Sequence, residues 1–256
     1  ASVAEGTTVI DNAAREPHIV DLANFLNTCG ADITGAGTNM IKIRGVKKLH
    51  GCEYAIIPDM IEAGTYMAAV ASAGGRLNIR NIIPKHIESI SAKFLEMGVS
   101  ITEYDDYITV SSNGRLNRVN IKTLPYPGFP TDMQPQVAAL LCTAEGISTI
   151  TEGVCDNRFR YLEDLRRMGA NVSADGRTAT IIGVERLSGA PVRSVDLRAG
   201  AAMIIAGLAA SGTTIIEGIE STLDRGYYDI VGKLRQVGAD IKRVQVSDTD
   251  AIRMVN

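Results

Sequence analysis

The stretch FLEMGVSI at 94–101 has three near copies in the chain: FLNTCGADI at 25–33, LRRMGANV at 165–172 and LRQVGADI at 234–241. Each is an amphipathic run that ends on a glycine. The glycines fall at Gly30, Gly98, Gly169 and Gly238, so the successive gaps are 68, 71 and 69 residues. A repeat of that period builds a fold from copies of one supersecondary unit, and it sets the architecture before any chemical motif is weighed.

Each repeat has a second half, clearest in PDMIEAGTYMAAVASAGGRLNIRNI from Pro58, TDMQPQVAALLCTAEGISTITEGV from Thr131 and VDLRAGAAMIIAGLAASGTTIIEGI from Val195. An aspartate (Asp59, Asp132, Asp196) is expected to cap a helix, which closes on a glycine (Gly74, Gly146, Gly212) and passes into a β-branched strand. One unit then reads helix, glycine turn, short strands, Asp, helix, glycine turn, strand. The first helix of the unit carries charge on one face. The second, as in QVAALLCTAEG and AGAAMIIAGLAASG, is apolar or small nearly all round and reads as surrounded by protein. The expected fold is α/β and inside out, with small-residue helices at the centre and strands outside, the units packed on one another.

At 256 residues and 45% hydrophobic content the chain can build a substantial core, and its 8 Pro and 25 Gly are spread through turns. A formal charge of -3, a single short basic run at RGVKK and no Trp argue against nucleic acid as a partner. No apolar run is long enough for a membrane span. Cys29, Cys52, Cys142 and Cys155 lack CxxC spacing and no His or Cys lies at metal-ligand spacing from another, so free thiols in a reducing, cytoplasmic setting are expected and a metal site is not. The lone His18, His50 and His86 read as surface or turn residues. GAGTN from Gly35 lacks the third glycine of a dinucleotide fingerprint and the lysine of a phosphate loop, and reads as a turn.

The opening EGTTVIDNAAREP matches the end of a unit, with Gly6 in the place of Gly146 and Gly212, and the far end stops after half a unit. The chain is therefore expected to be the later part of a longer one, with strands missing around 222–256. Candidate chemistry sits where strands pass into helices, because helix N-termini offer free N–H groups to anions. The candidates are Asp132, Asp196 with Arg198, Arg158, and Asp224 with Arg225. Arg198 and Arg225 are expected to start helices, where a cation opposes the helix dipole, and that placement invites an anion.

The runs EGTTVIDNAAREP, PDMIEAGT, PYPGFPTDMQPQ, DNRF, GVERLSGAPV, DLRAGAA, AASGTTIIEGI and LDRGYYDIVGKLRQVGADI closely resemble the carboxy-terminal part of the UDP-N-acetylglucosamine enolpyruvyl transferases. The resemblance implies two inside-out α/β domains with the active site between them. Residues 1–56 would end the first domain and 57–256 would form most of the second. It implies transfer of the enolpyruvyl group of phosphoenolpyruvate to the 3-hydroxyl of UDP-N-acetylglucosamine, the first committed step of peptidoglycan synthesis, with no cofactor. By position Asp132 matches the proposed general base, Arg198 and Arg225 the arginines that hold phosphoenolpyruvate, and Asp196 an aspartate beside the reacting centre. Val154 and Cys155 match the stretch lining the UDP-sugar site. Cys155 replaces a frequent aromatic residue and Met60 a frequent arginine. The family's reactive-loop cysteine, the fosfomycin target, matches none of the four cysteines, and Cys142 reads as a buried structural thiol. Besides its two substrates, the expected partner is the amino-terminal segment. The alternative is a non-catalytic paralogue that binds a UDP-sugar or a protein.

Overall fold

The computed structural model describes residues 1–245. The first elements are β1 (Thr7–Asp11), α1 (Pro17–Thr28), β2 (Asp32–Thr34) and β3 (Met40–Arg44). After a stretch without helix or strand come α2 (Met60–Ala73) and β4 (Gly75–Arg80). The next unit has a 3₁₀ turn at Pro84–Ile87, α3 (Glu88–Glu96), β5 (Ser100–Glu103), β6 (Tyr107–Ser112), β7 (Asn120–Lys122), a 3₁₀ turn at Thr131–Met133, α4 (Gln134–Leu141) and β8 (Ile147–Thr151). The last elements are α5 (Leu162–Arg167), β9 (Asn171–Asp175), β10 (Thr178–Ile182), β11 (Pro191–Arg193), α6 (Leu197–Ala209), β12 (Ile215–Glu217), α7 (Ile219–Thr222) and α8 (Ile230–Gln236).

The four repeat glycines end α1, α3, α5 and α8 in one geometry. Gly30, Gly98, Gly169 and Gly238 take φ of 93°, 91°, 88° and 100°. The next amide in each case reaches back five residues, from Ala31 to the Leu26 carbonyl, Val99 to Phe94, Ala170 to Leu165 and Ala239 to Leu234, all at 3.0 Å. Left-handed backbone at these sites closes the orphan carbonyls of the last turn, and glycine adopts it without a Cβ clash.

The helices of the second half-unit depart in part from the expected caps. Asp59 accepts the Ile61 amide at 2.8 Å, and Asp196 accepts the amides of Arg198 and Ala199 at 2.9 and 2.8 Å. Asp132 caps nothing: it lies inside a 3₁₀ turn, and its carboxylate is taken by two guanidinium groups, which bind it more strongly than a backbone amide would. Gly74 is the C-cap of α2, whereas Gly146 and Gly212 lie past the helix ends, which are capped at Cys142 and Ala210. Just past the end of α4, Arg115 donates to the carbonyls of Thr143 and Ala144.

One pairing rule generates three of the sheets. The strand at the end of a unit pairs antiparallel with the hairpin of the next, giving β1-β3-β2, β4-β6-β5 and β8-β10-β9. β7 joins β8 in parallel, and β11 joins β12 in parallel. Gly183 fastens the third sheet to the end of α4. Its amide donates to the Gly146 carbonyl at 2.9 Å, and a Cβ there would lie 1.6 Å from the Ala144 carbonyl oxygen. Residues 239–245 after Gly238 do not form the expected strand, and the rest of that segment lies outside the described residues.

At the centre α2, α4 and α6 pack on one another with the sheets outside them. All of α4 and the run Ala199–Ala206 of α6 are buried, which is why these helices carry no polar face. Small residues let the axes approach: a Cβ on Gly64 would meet the Met133 sulfur at 2.8 Å. The core formed this way runs from Met60 to Leu234. Ala23, Ile33, Ile41 and Ile43, under α1 and its sheet, form a second, separate cluster. Among the described residues no helix is long and apolar enough to cross a membrane.

Candidate functional site at the Asp132 seam

Three chain segments meet at Asp132. The PYPGFPTD loop delivers the aspartate, the first turn of α6 delivers Arg198, and the loop after β8 delivers Arg158. Arg198 holds one carboxylate oxygen through Nε at 3.1 Å and Nη2 at 3.0 Å, and Arg158 holds the other through Nη2 at 2.8 Å. Arg198 is the most enclosed, its side chain 14% exposed against 40% for Asp132 and 21% for Arg158. A guanidinium at a helix N-terminus is disfavoured by the dipole and by burial. Burial does weaken its hold on the proton, but the Tyr227 phenol and the Asp132 carboxylate outweigh that and shift its pKa upward.

Tyr227, from the turn between α7 and α8, supports Arg198 from behind. Its hydroxyl accepts from Arg198 Nη1 at 3.1 Å and Gln136 Nε2 at 3.3 Å, and lies 3.0 Å from Thr65 Oγ1. Thr65 donates to the Ile61 carbonyl, so the phenol donates to Thr65. Thr65, Gln136 and Arg198 belong to α2, α4 and α6, and one buried phenol therefore joins all three central helices.

Glu152 organises the other side. Only 1% exposed, it accepts from Thr123 Oγ1 at 2.6 Å and from the amides of Val154 and Cys155 at 2.9 and 3.0 Å through one oxygen, and from Thr131 Oγ1 at 3.0 Å through the other. Burial alone would raise its pKa, but these four donors hold it below the usual glutamate value. It ties the loop carrying Arg158 to the residue before Asp132, and so sets their separation.

The remaining expected residues fall into different places. Asp196 is the cap of α6 and touches Arg198 only through the backbone amide. Val154 and Cys155 turn their amides inward to Glu152, leaving the Val154 side chain exposed. Arg225 does not start a helix: it lies in the turn before α8, which begins at Ile230 under an Asp229 cap, and it is exposed with no ion pair among the described residues. Asp224 pairs with Arg243 instead. Cys142 is fully buried, donates to the Ala138 carbonyl at 3.2 Å and has its thiol pushed up to about 12 by burial. Met60 is buried as the first residue of α2. Among the described residues no group of three or more His, Cys, Asp or Glu is placed to hold a metal ion.

Glu152 and Tyr227 escaped the sequence reading. Glu152 had a signal, the repeated Glu-Gly at 152–153 and 217–218, but its repeat mate Glu217 is exposed at the surface. Tyr227 had none, because its partners come from helices far away in sequence.

Sheets thus wrap around three apolar helices, and two guanidinium groups gather on a carboxylate at one seam. The model of the EPSP synthase family, described as EPSP synthase (3-phosphoshikimate 1-carboxyvinyltransferase), matches residues 1–234, and the chain belongs to that family. Within it the chain is similar to UDP-N-acetylglucosamine 1-carboxyvinyltransferase 3 of Caldanaerobacter subterraneus, with 59% identity over 242 residues covering 94% of this chain and 58% of that protein. The UDP-N-acetylglucosamine 1-carboxyvinyltransferase of Clostridium botulinum is 55% identical over 244 residues, covering 95% and 58%. Among solved structures the enolpyruvyl transferase NikO from Streptomyces tendae matches with a TM-score of 0.82 at 30% identity, over 96% of this chain and 59% of that one. EPSP synthase from Acinetobacter baumannii, at 20% identity and a TM-score of 0.72, shares the fold alone. The chain thus spans about 58% of the length of the curated relatives it matches.

Proposed function

We propose that the chain is the larger part of an enolpyruvyl transferase acting on UDP-N-acetylglucosamine and phosphoenolpyruvate in the cytoplasm, in peptidoglycan synthesis. In this reading residues 1–56 close a first domain, 57–256 form most of a second, and the Asp132 seam is one wall of the cleft between them. The observation that carries it is the double guanidinium clamp on Asp132. Phosphoenolpyruvate is a carboxylate and a phosphate on a small frame, and paired arginine forks fit such oxygens bidentately. Without substrate, Asp132 fills the anion seat that Arg158 and Arg198 create. An arriving anion takes over those donors and frees the Asp132 carboxylate, which then accepts the proton of the 3-hydroxyl as that oxygen attacks C2 of phosphoenolpyruvate, while the C2–C3 π bond breaks and C3 takes up a proton to give a tetrahedral adduct. Departure of phosphate from C2 with loss of a proton from C3 then restores the vinyl group. Arg225, exposed beside this wall in sequence and without an ion pair among the described residues, is the cation that closes on the phosphate. Asp196 acts by holding the start of α6, and Val154 and Cys155 present the loop surface to the UDP-sugar.

Titration of phosphoenolpyruvate into the 256-residue chain tests the exchange. Arg198→Ala should abolish binding. Asp132→Asn, which removes the competing charge, should tighten binding about tenfold, equivalent to ~1.4 kcal/mol. Phosphate release from the two substrates should be undetectable with this chain alone, because the opposite wall is needed for transition-state complementarity. Unchanged affinity in both variants would remove the seam from the reaction.

A further inference from the structure

We propose that Cys29 and Cys52 form a modification site, an intramolecular dithiol that oxidants of the peroxide class convert to a disulfide. The two sulfurs lie 3.3 Å apart, at hydrogen-bonding distance, although they are 23 positions apart in sequence. Both sides of the contact are fixed in place. Cys29 is the C-cap of α1, followed by the left-handed turn at Gly30. The segment carrying Cys52 is tied to the same helix on either flank. The His50 amide donates to the Cys29 carbonyl at 2.9 Å, and the Tyr54 hydroxyl donates to Asp21 at 2.7 Å while its ring meets Phe25 edge-on at 5.5 Å. Bridging therefore needs the two sulfurs to close from this contact to the ~2.05 Å of an S–S bond, within a backbone tied on both sides.

The two thiols differ in access. Cys29 is 7% exposed, and its thiol is shifted upward by the hydrogen bond with Cys52 and by burial, whereas Cys52 is only partly buried. Cys52 is thus the sulfur an oxidant reaches first. Its thiolate attacks a peroxide oxygen, the O–O bond breaks, and a sulfenic acid and one water result. The Cys29 sulfur then loses its proton and attacks the sulfenic sulfur, and the displaced hydroxide leaves as a second water. In sum two thiols and one peroxide become one disulfide and two waters. The bond staples the end of α1 to the irregular stretch that leads to α2, between the two hydrophobic clusters. This inference stands whether or not the enzymatic reading does.

The folded chain, exposed to a small excess of hydrogen peroxide, alkylated and digested with trypsin, tests it. Cleavage at Lys42, Arg44, Lys47 and Lys48 separates the two cysteines, so the disulfide appears as a cross-linked peptide pair that reductant dissolves. Two of the four thiols should be lost, with Cys142 and Cys155 still alkylated after unfolding. Cys52→Ser should leave Cys29 reduced under the same treatment, and the surface change Cys52→Ala gives a second version should the serine variant fold poorly. Over-oxidation confined to Cys52, a Cys52-linked dimer, or cross-linking only in concentrated urea would each overturn the proposal.

Discussion

Replacing Glu152 tests how the site is held. Glu152→Ala removes a carboxylate that is 1% exposed and leaves four donors, two hydroxyls and two backbone amides, without their acceptor. An unsatisfied buried donor costs about 1–3 kcal/mol, and removal of the burial penalty on the carboxylate offsets part of the sum. The hydroxyls can rotate to other acceptors, while the amides of Val154 and Cys155 cannot. The expected loss is therefore ~3–5 kcal/mol by urea unfolding, among the large values for a single substitution. Glu152→Gln keeps the oxygen that serves Thr123, Val154 and Cys155 and turns an amide group toward Thr131, so a loss of ~1–2 kcal/mol is expected. The pH dependence separates charge from shape. Because the folded-state pKa is depressed, the charge contributes fully above the unfolded value of about 4.3 and is lost as pH falls through the folded value below it. The gap between the wild type and Glu152→Gln should stay constant from neutral pH to about 5, begin to shrink below the unfolded value of about 4.3, and close as pH falls through the depressed folded value. A Glu152→Ala variant destabilised by less than about 1 kcal/mol, or a gap that widens in acid, would refute the reasoning.

Gly183→Ala forces a Cβ to 1.6 Å from the Ala144 carbonyl oxygen, where only backbone movement relieves the clash. A loss of ~3 kcal/mol or more is expected in chemical denaturation, with the far-UV spectrum retained. Tyr227→Phe deletes the hydroxyl shared by Arg198, Gln136 and Thr65; the expectation is ~1–2 kcal/mol of stability together with weaker phosphoenolpyruvate binding, and intact binding would separate the phenol from the site. Asp59→Ala removes the cap of α2 and should lower stability by about 1 kcal/mol, whereas Asp132→Ala, not a cap, should not mimic it in helix content.

What the sequence by itself determined is local and periodic. Four glycines at a fixed period mark four helix ends, because left-handed backbone is cheap only for glycine, and each was found with φ near 90°. The helices without a polar face announced the inside-out core, since an apolar surface on every side must meet protein on every side. Asp132, Arg158 and Arg198 were legible as charged residues at seams of the repeat. The tertiary structure decided what they touch. Asp132 follows the same pattern as Asp59 and Asp196, yet two arginines 26 and 66 positions away take its carboxylate, so it joins three segments instead of capping a helix. Arg225 follows the pattern of Arg198 and stands in a turn. Glu152 and Tyr227 set the geometry around them, and the Cys29–Cys52 contact spans a gap no spacing rule flags. Caps, turns and periodicity are written by neighbours along the chain, within reach of a few residues' backbone. Ion pairs, buried networks and thiol pairs are written by neighbours in space, and those exist only once segments distant in sequence have packed together.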